Sequence, residues 1–598
     1  TVIRFCRNGL KEPTIPGRSI RGAVRAACDV ARQALEDAGD PATQDGGVFS
    51  KASWVSLWGD DSADTGKSLL ERRLRRDDSL PIRQSALTFH AAAFPKYKDS
   101  DPGESPLPRR HGVGIDRTTG AASDGALYEH EFLPRGTAFD IRITAEGRDG
   151  EQKNDTERKD NKQSDGIPGP APSDTVKKLL EFIVDVLTSG AVCLGGRTGS
   201  GQGTIQVIEP KLRRTGKTTD ASALTAPVDV LDALIGEDEE GTPIPLELGG
   251  WSLEEPARIK ITWWSPTGIF VAEDEKLTKQ RKTAKEDENK EKGINEEVHE
   301  VVYPLRDPSV AWDEAQLLIP GTSIRGALRS RASRIARTVL AARRELEPFT
   351  SHDLHEQIAA EPNLVRYMFG STEYRGAVTV HDCLSTKRGE RIEVTHNAID
   401  RWTGGVIDGG LFTEAVYLGT HWEPITIDID LRQLLNNIEA EKGPEDKRKA
   451  KEAEKRETEQ DDPKDSQQRE HVYAPYARAA YVLLGLVLAE LSAGTLPLGS
   501  RSTRGLGQVI VSSIMVRGST WDGVAIPAKT LSGGEALEHP GTATISPTQD
   551  RYDAQRTLAG GVLEYLRDIK GATQWSDRLH EGLQKADTGS KGKEKAHE

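Results

Sequence analysis

IPGRSIRGAVRAA, residues 15–27, is answered in the second half of the chain by IPGTSIRGALRS, residues 319–330. Nine of the first eleven positions are identical, which two unrelated stretches do not share by chance. Three further pairs follow in the same order. SLWGD (56–60) matches YMFGS (367–371), and GIDRTTGAASDGALYEHEF (114–132) matches AIDRWTGGVIDGGLFTEAV (398–416). GGRTGSGQGTIQV (195–207) matches GSRSTRGLGQVIV (499–511). Four matched blocks in one order mark a duplicated chain, and a duplication fixes the architecture before any single element is read.

Between the blocks, short β-rich stretches (138–145, 258–271, 424–429, 508–516) alternate with helical ones (20–35, 175–187, 324–344, 477–491). The change of apolar period from two to near 3.6 distinguishes them. The mixture predicts an α+β protein of two tandem modules, each with an antiparallel sheet. The first module is expected over 1–212, a linker over 213–250 and the second module over 251–516. Polar segments at 148–174, 272–300 and 437–470 hold few large apolar side chains and read mainly as mobile insertions. Residues 517–598 read as a peripheral C-terminal tail with one amphipathic stretch, 558–569.

Composition narrows the function. The 36% hydrophobic and 29% charged content fits cores with solvated insertions. No run approaches the roughly 20 apolar residues of a membrane span, and no basic-then-apolar leader opens the sequence, so a cytoplasmic protein is expected. Cys6, Cys28, Cys193 and Cys383 lie far apart, without the close pair of a zinc site, and no zinc is expected. The net charge of −14 argues against a nucleic-acid partner only if charge is spread evenly.

The repeated blocks carry the chemistry. After each IPG turn, Ser19 or Ser323 is placed as an N-cap, and Arg21, Arg25, Arg325 and Arg329 fall on a face away from the apolar stripe. A helix start with free N–H groups beside Arg18, Ser19, Thr322 and Ser323 suits a phosphate. A capped helix with solvated arginines is the plainer alternative. The Gly-rich blocks, with Arg197, Thr198 and Ser200 in one and Arg501, Ser502, Thr503 and Arg504 in the other, lead into strands. They match neither a Walker loop nor a dinucleotide fingerprint, and a ligand-free turn competes with a phosphate cradle. The third pair sets His111 before Asp116-Arg117 and His396 before Asp400-Arg401, a spacing as good for loop-shaping hydrogen bonds as for acid–base work.

Taken as an ordered set, these blocks resemble the RAMP superfamily, in particular the Cas-seven-type backbone subunits of type III CRISPR complexes. Two copies in one chain resemble the fused subunits of type III-D and related single-chain effectors. The resemblance implies a modified ferredoxin-like, RRM-related core in each module. It implies that the helix start and Gly-rich loop hold the CRISPR RNA backbone. The IDR-x-TG region then belongs to a thumb that kinks the guide–target duplex, which makes His111, Asp116, Arg117, His396, Asp400 and Arg401 candidate contacts there. Partners implied are CRISPR RNA, complementary target RNA and the other backbone, large and small subunits. Many such subunits cut target RNA with an Asp before the IPG helix and a divalent cation, so Mg2+ is expected if cleavage occurs. In the first copy that position falls before Thr1, and the first strand of that module is expected to be missing as well. In the second, the nearby carboxylates are Glu300, Asp307, Asp313 and Asp274.

Two other functions compete. One is a guide-processing endoribonuclease using metal-free acid–base chemistry, for which His111, His299 and His396 are the available histidines. The other is a scaffold in which every one of these carboxylates is dispensable.

Overall fold

The computed structural model describes residues 2–45, 47–59, 85–97, 106–145, 173–214, 242–251, 255–273, 275–292, 300–307, 315–343, 353–441, 471–539 and 548–579. The first module runs β1 (Val2–Ile3), α1 (Gly17–Asp37), α2 (Lys51–Trp58), β2 (Leu87–Phe89), β3 (Arg109–Ile115), β4 (Ala122–Glu131), β5 (Ile143–Ala145) and α3 (Ser173–Thr188). The second begins with β6 (Ala257–Trp264), α4 (Glu275–Glu291), β7 (Val301–Val302), α5 (Gly321–Ala342), α6 (Leu354–Ala359) and α7 (Asn363–Phe369). It continues with β8 (Val378–Val380), β9 (Glu390–Ile399), β10 (Val406–Leu418), β11 (Ile425–Ile429), α8 (Ala474–Ser492), β12 (Ile510–Arg517), β13 (Lys529–Ser532) and α9 (Thr548–Arg567).

The two modules share one plan. A short strand, β1 or β7, lies parallel to the second strand of a long hairpin, β3–β4 or β9–β10. Strand β2 pairs with β5 as β8 pairs with β11. In the second module β6 completes the sheet, flanked by β11 and β12. Among the described residues, no strand of the first module stands in the position of β6.

Apolar spacing explains the cores. Ile20, Val24 and Cys28 recur along α1 and are fully buried with Leu179, Phe182, Ile183 and Val186 of α3. Ile324, Leu328, Ala332, Ala336 and Leu340 do the same on α5. Helix α8 is apolar on every side because it runs through the second core. Its length and composition would suit a membrane span, but 78% of its apolar window is buried inside the protein. The linker returns to the first module at its end, where Trp251 sits 4.8 Å from Phe49 and the Gly249 N–H donates to Asp185 at 2.9 Å.

Several sequence expectations change. The residue at each helix N-cap is Pro16 or Pro320, with no side-chain cap, so Ser19 and Ser323 stand inside the first turn. The charged stretch expected to be a mobile insertion forms α4 over most of its described length. It is rich in Lys and Glu, good helix formers, and carries pairs such as Lys290–Asp287 at 3.3 Å. The next insertion starts later than residue 437, because Asn437 and Ile438 are buried; residues 442–470, like 146–172, lie outside the described residues.

The described part of the tail, 517–539 and 548–579, is not peripheral. Strand β13 extends the sheet beside β12, and α9 packs on α8 through Leu558, Val562, Tyr565 and Leu566. The Tyr565 and Tyr481 hydroxyls meet at 2.9 Å. Leu566 fills the space above Gly485, where any side chain would collide with it. Leu566→Ala is therefore expected to cost about 2–5 kcal/mol, read as a lower denaturation midpoint for the second module; an unchanged midpoint would contradict this packing.

Candidate nucleic-acid interface

Each IPG turn brings a helix start hard against a strand. A side chain at Gly17 would strike the Phe89 carbonyl, and one at Gly321 would strike that of Val380. The glycine is thus required by packing, whatever else the turn does. Beyond it, Arg18 and Ser19 are exposed on α1, while Thr322 and Ser323 are half-buried on α5. The two starts differ in one neighbour. Asp382 accepts the Gly321 N–H at 2.7 Å, satisfying a helix-start donor with an internal carboxylate. The strand register puts Ala91 at the matching place in the first module.

The arginines of the helices face inward, contrary to expectation. Arg325 donates to the Val378 carbonyl at 3.2 Å and to the Phe369 carbonyl at 2.6 Å. Arg329 holds the Phe369 and Gly370 carbonyls at 3.3 and 2.9 Å and Glu361 at 2.5 Å. These carbonyls are the spare acceptors at the end of α7, so the pair caps that helix. Arg21 does likewise at the Trp58 carbonyl, with Arg21 and Arg25 about 6 Å over the Trp58 ring. Arg25 also meets Asp29 at 3.7 Å. The IRG and aromatic-Gly blocks are therefore two halves of one contact. Burial pulls the Arg325 guanidinium down to about 10; burial, then Arg117 and Arg325, pulls Arg329 down to about 9. Both stay charged at neutral pH.

The Gly-rich loops superimpose in conformation. Arg197 (φ 60°) and Arg501 (φ 64°) are both left-handed, each followed by a single 3-10 turn and a glycine at φ 73° or 90°. The loop necks close by Leu194 N–H to Gly203 at 2.8 Å and Leu498 N–H to Gly507 at 2.9 Å. A left-handed arginine is strained by roughly 1–3 kcal/mol, and both copies retain it. Arg197 lies 4.3 Å over Tyr128 and donates to its hydroxyl at 3.0 Å. In the second copy Arg501 binds the buried Glu414 carboxylate at 2.6 Å, and Arg504 lies over Phe412. Ser200 is buried, donating to the Arg197 carbonyl, and Thr198 is half-buried. Ser502, Thr503 and Arg504 are exposed.

The modules meet where the first loop and hairpin reach the second helix start. Gly199 lies on the Arg325 guanidinium, Gly201 on His381, and the Ser200 carbonyl on Gly321. Arg110 binds Asp382 at 2.8 Å. At the hairpin tip the Arg117 N–H donates to Gln357 at 3.0 Å, and Gln357 donates to Asp116 at 2.7 Å. The Arg117 side chain pairs with the fully buried Glu361, which also holds Arg329. Asp116 and Arg117 thus serve the seam, whereas Arg401 is exposed and Asp400 accepts the Trp402 N–H of its own turn.

The two histidines of the sequence motif are not equivalent. His111 stands opposite Glu129 and hydrogen-bonds it at 2.7 Å; His396 stands opposite Phe412, one register step away, and lies 3.3 Å from Glu414. Their partners are glutamates, not the Asp of the tip. The residue that sequence reasoning missed is His130, in the place of Glu414, buried beside Arg197 and Arg110. Burial first, then those two arginines, holds its pKa down to about 4.

Of the four carboxylates named for cleavage, two are described. Glu300 and Asp307 are half-buried, and Asp274, Asp313 and His299 lie outside the described residues. Among the described residues no three His, Cys, Asp or Glu side chains form a metal-binding group.

The profile of the RAMP superfamily matches residues 4–206 and 317–510, one match in each module. No curated protein matches the chain.

Two outcomes are expected. Arg329→Ala should destabilise the second module by about 3–5 kcal/mol in chemical denaturation, because it strips a buried carboxylate and two carbonyls of a donor. His130 binds its proton far more weakly folded than unfolded, so the unfolded state takes up more protons below its ordinary value of about 6.5. Stability should fall as pH drops from there toward 4, and His130→Gln should flatten that part of the stability profile.

Proposed function

Because the chain belongs to the RAMP superfamily, whose members bind CRISPR RNA within multisubunit complexes, we propose that it is a fused tandem Cas-seven-type backbone subunit of a type III effector. It works in the cytoplasm and holds the guide by its sugar-phosphate backbone. The observation that carries this reading is the seam, where the Gly-rich loop of one module lies on the helix start of the next. Repeating that arrangement along a strand gives a groove whose walls are alternately loop and helix.

Within the groove the exposed donors do the gripping, Arg18 and Ser19 at the first helix start and Ser502, Thr503 and Arg504 on the second loop, joined by the half-buried Arg197 and Thr198 at the seam. Hydroxyls, guanidinium groups and backbone N–H groups recognise phosphate and sugar without reading bases, as a guide of any sequence requires. Arg21, Arg25, Arg325 and Arg329 support these donors from behind by fixing the helices. The hairpins lie beside the groove, where target RNA paired to the guide would pass.

Binding to a labelled guide RNA tests the assignment. Replacing Arg18 and Arg504 together by Ala should weaken binding and reduce the slope of log affinity against log salt by about 1.4, roughly 0.7 for each lost phosphate contact. An unchanged slope would remove the groove from these residues. Cleavage is settled separately with labelled complementary RNA in an assembled complex. Regularly spaced cuts that need magnesium and vanish in EDTA mark a target nuclease; cuts in the guide precursor with EDTA mark a processing enzyme. Intact RNA throughout leaves guide holding as the whole function.

A further inference from the structure

We infer that one hairpin position, His130 in the first module and Glu414 in the second, decides which arginine of the adjacent Gly-rich loop meets an RNA phosphate. The gripping cation is Arg197 in the first loop and Arg504 in the second. Arg501, the sequence counterpart of Arg197, is a positioning residue. The inference rests on the proposed guide-holding role and adds which cation of each loop performs it.

Four differences between the copies act together. Along the loops, Arg501 stands where Arg197 does, and Arg504 where Ser200 does. Along the hairpins, His396 stands for Gly112, Phe412 for Tyr128 and Glu414 for His130. In the first module Tyr128 folds over Gly112, where any side chain would strike its ring. Arg197 lies 4.3 Å over that ring and donates to its hydroxyl at 3.0 Å. Among the described residues it has no carboxylate partner. His130 beside it is buried and, with its pKa held down to about 4, neutral at neutral pH. The Arg197 charge is therefore uncompensated.

In the second module the other arginine takes the ring. Arg504 lies 5.3 Å over Phe412 and is exposed. Arg501 is turned to Glu414 instead, and two of its N–H groups meet one carboxylate oxygen at 2.7 and 2.6 Å. Glu414 is 1% exposed, and its second oxygen lies 3.3 Å from His396 and 3.8 Å from Arg504. A buried carboxylate held this closely cancels the Arg501 charge at the groove and leaves that of Arg504 in place. A guanidinium lying on a ring keeps N–H groups at its edge for a phosphate. Each loop thus offers a single net positive charge over the same aromatic position, by a lone arginine in one copy and by two arginines and an acid in the other.

The test measures binding of labelled guide RNA to the full chain across a salt series at neutral pH. Arg197→Ala and Arg504→Ala should each reduce the slope of log affinity against log salt by about 0.7, one phosphate contact. Removing the ion pair together, Arg501→Gln with Glu414→Gln, should leave the slope as it is. Glu414→Gln alone releases Arg501 and should steepen the slope by about 0.7. In the first module, His130→Glu should give a slope lower by about 0.7 than His130→Gln, because only the carboxylate captures Arg197. A merely structural role for Glu414 would weaken binding in both of its variants and steepen neither slope. A double variant that loses as much slope as Arg197→Ala overturns the inference, as does a Glu414→Gln slope no steeper than that of the wild type. Either result leaves the proposed function standing while the wild-type chain binds; a wild-type chain that binds no guide RNA overturns both.

Discussion

One buried carboxylate, Glu361, holds the molecule in its working arrangement. It lies fully out of water between Arg329 of its own module and Arg117 from the hairpin tip of the other. A lone charge in that position would be strongly unfavourable, and the two guanidinium groups offset its desolvation only when both modules are in place. Arg329 in turn holds the α7 end that Arg325 also caps. Helix start, helix end and neighbouring hairpin are therefore set by one connected network, and the spacing of the two candidate RNA-gripping elements follows from it.

The duplication kept the backbone and changed the charges. Both Gly-rich loops have a left-handed arginine, and both helix starts have a glycine jammed against a strand carbonyl. Yet Ala91 stands in the first module where Asp382 stands in the second, His130 where Glu414 does, and the residues before α2 carry no counterpart of Glu361. Each change supplies a carboxylate to the second module where the first has none. Two of these acids, Asp382 and Glu361, meet arginines of the first module across the seam; the third neutralises the second loop's own Arg501.

Much of this was legible in the sequence. The ordered blocks located both modules, and the apolar spacing located α1, α3, α5 and α8 to within a few residues. What misled was the direction of the arginines. On an isolated amphipathic helix, Arg21 and Arg325 lie off the apolar stripe and read as solvated; only tertiary packing places a helix end there for them to cap. His130 was hidden because a histidine flanked by glutamates in sequence gives no sign that its neighbours in space are Arg110 and Arg197. The tail misled in the opposite way: a single amphipathic stretch does not reveal the missing side chain of Gly485 that receives it.

Covalent fusion explains why the two hairpin tips diverge. The first tip meets its partner within the same chain, so its effective concentration is high and little further binding energy is needed. Thr118, small and polar, suffices between Arg117 and Thr119. Among the described residues none docks on the second tip as Gln357 and Glu361 dock on the first, and Trp402, at the place of Thr118, is 96% exposed. The pitch between the candidate gripping elements of the two modules is then fixed within the chain by the tethered first tip.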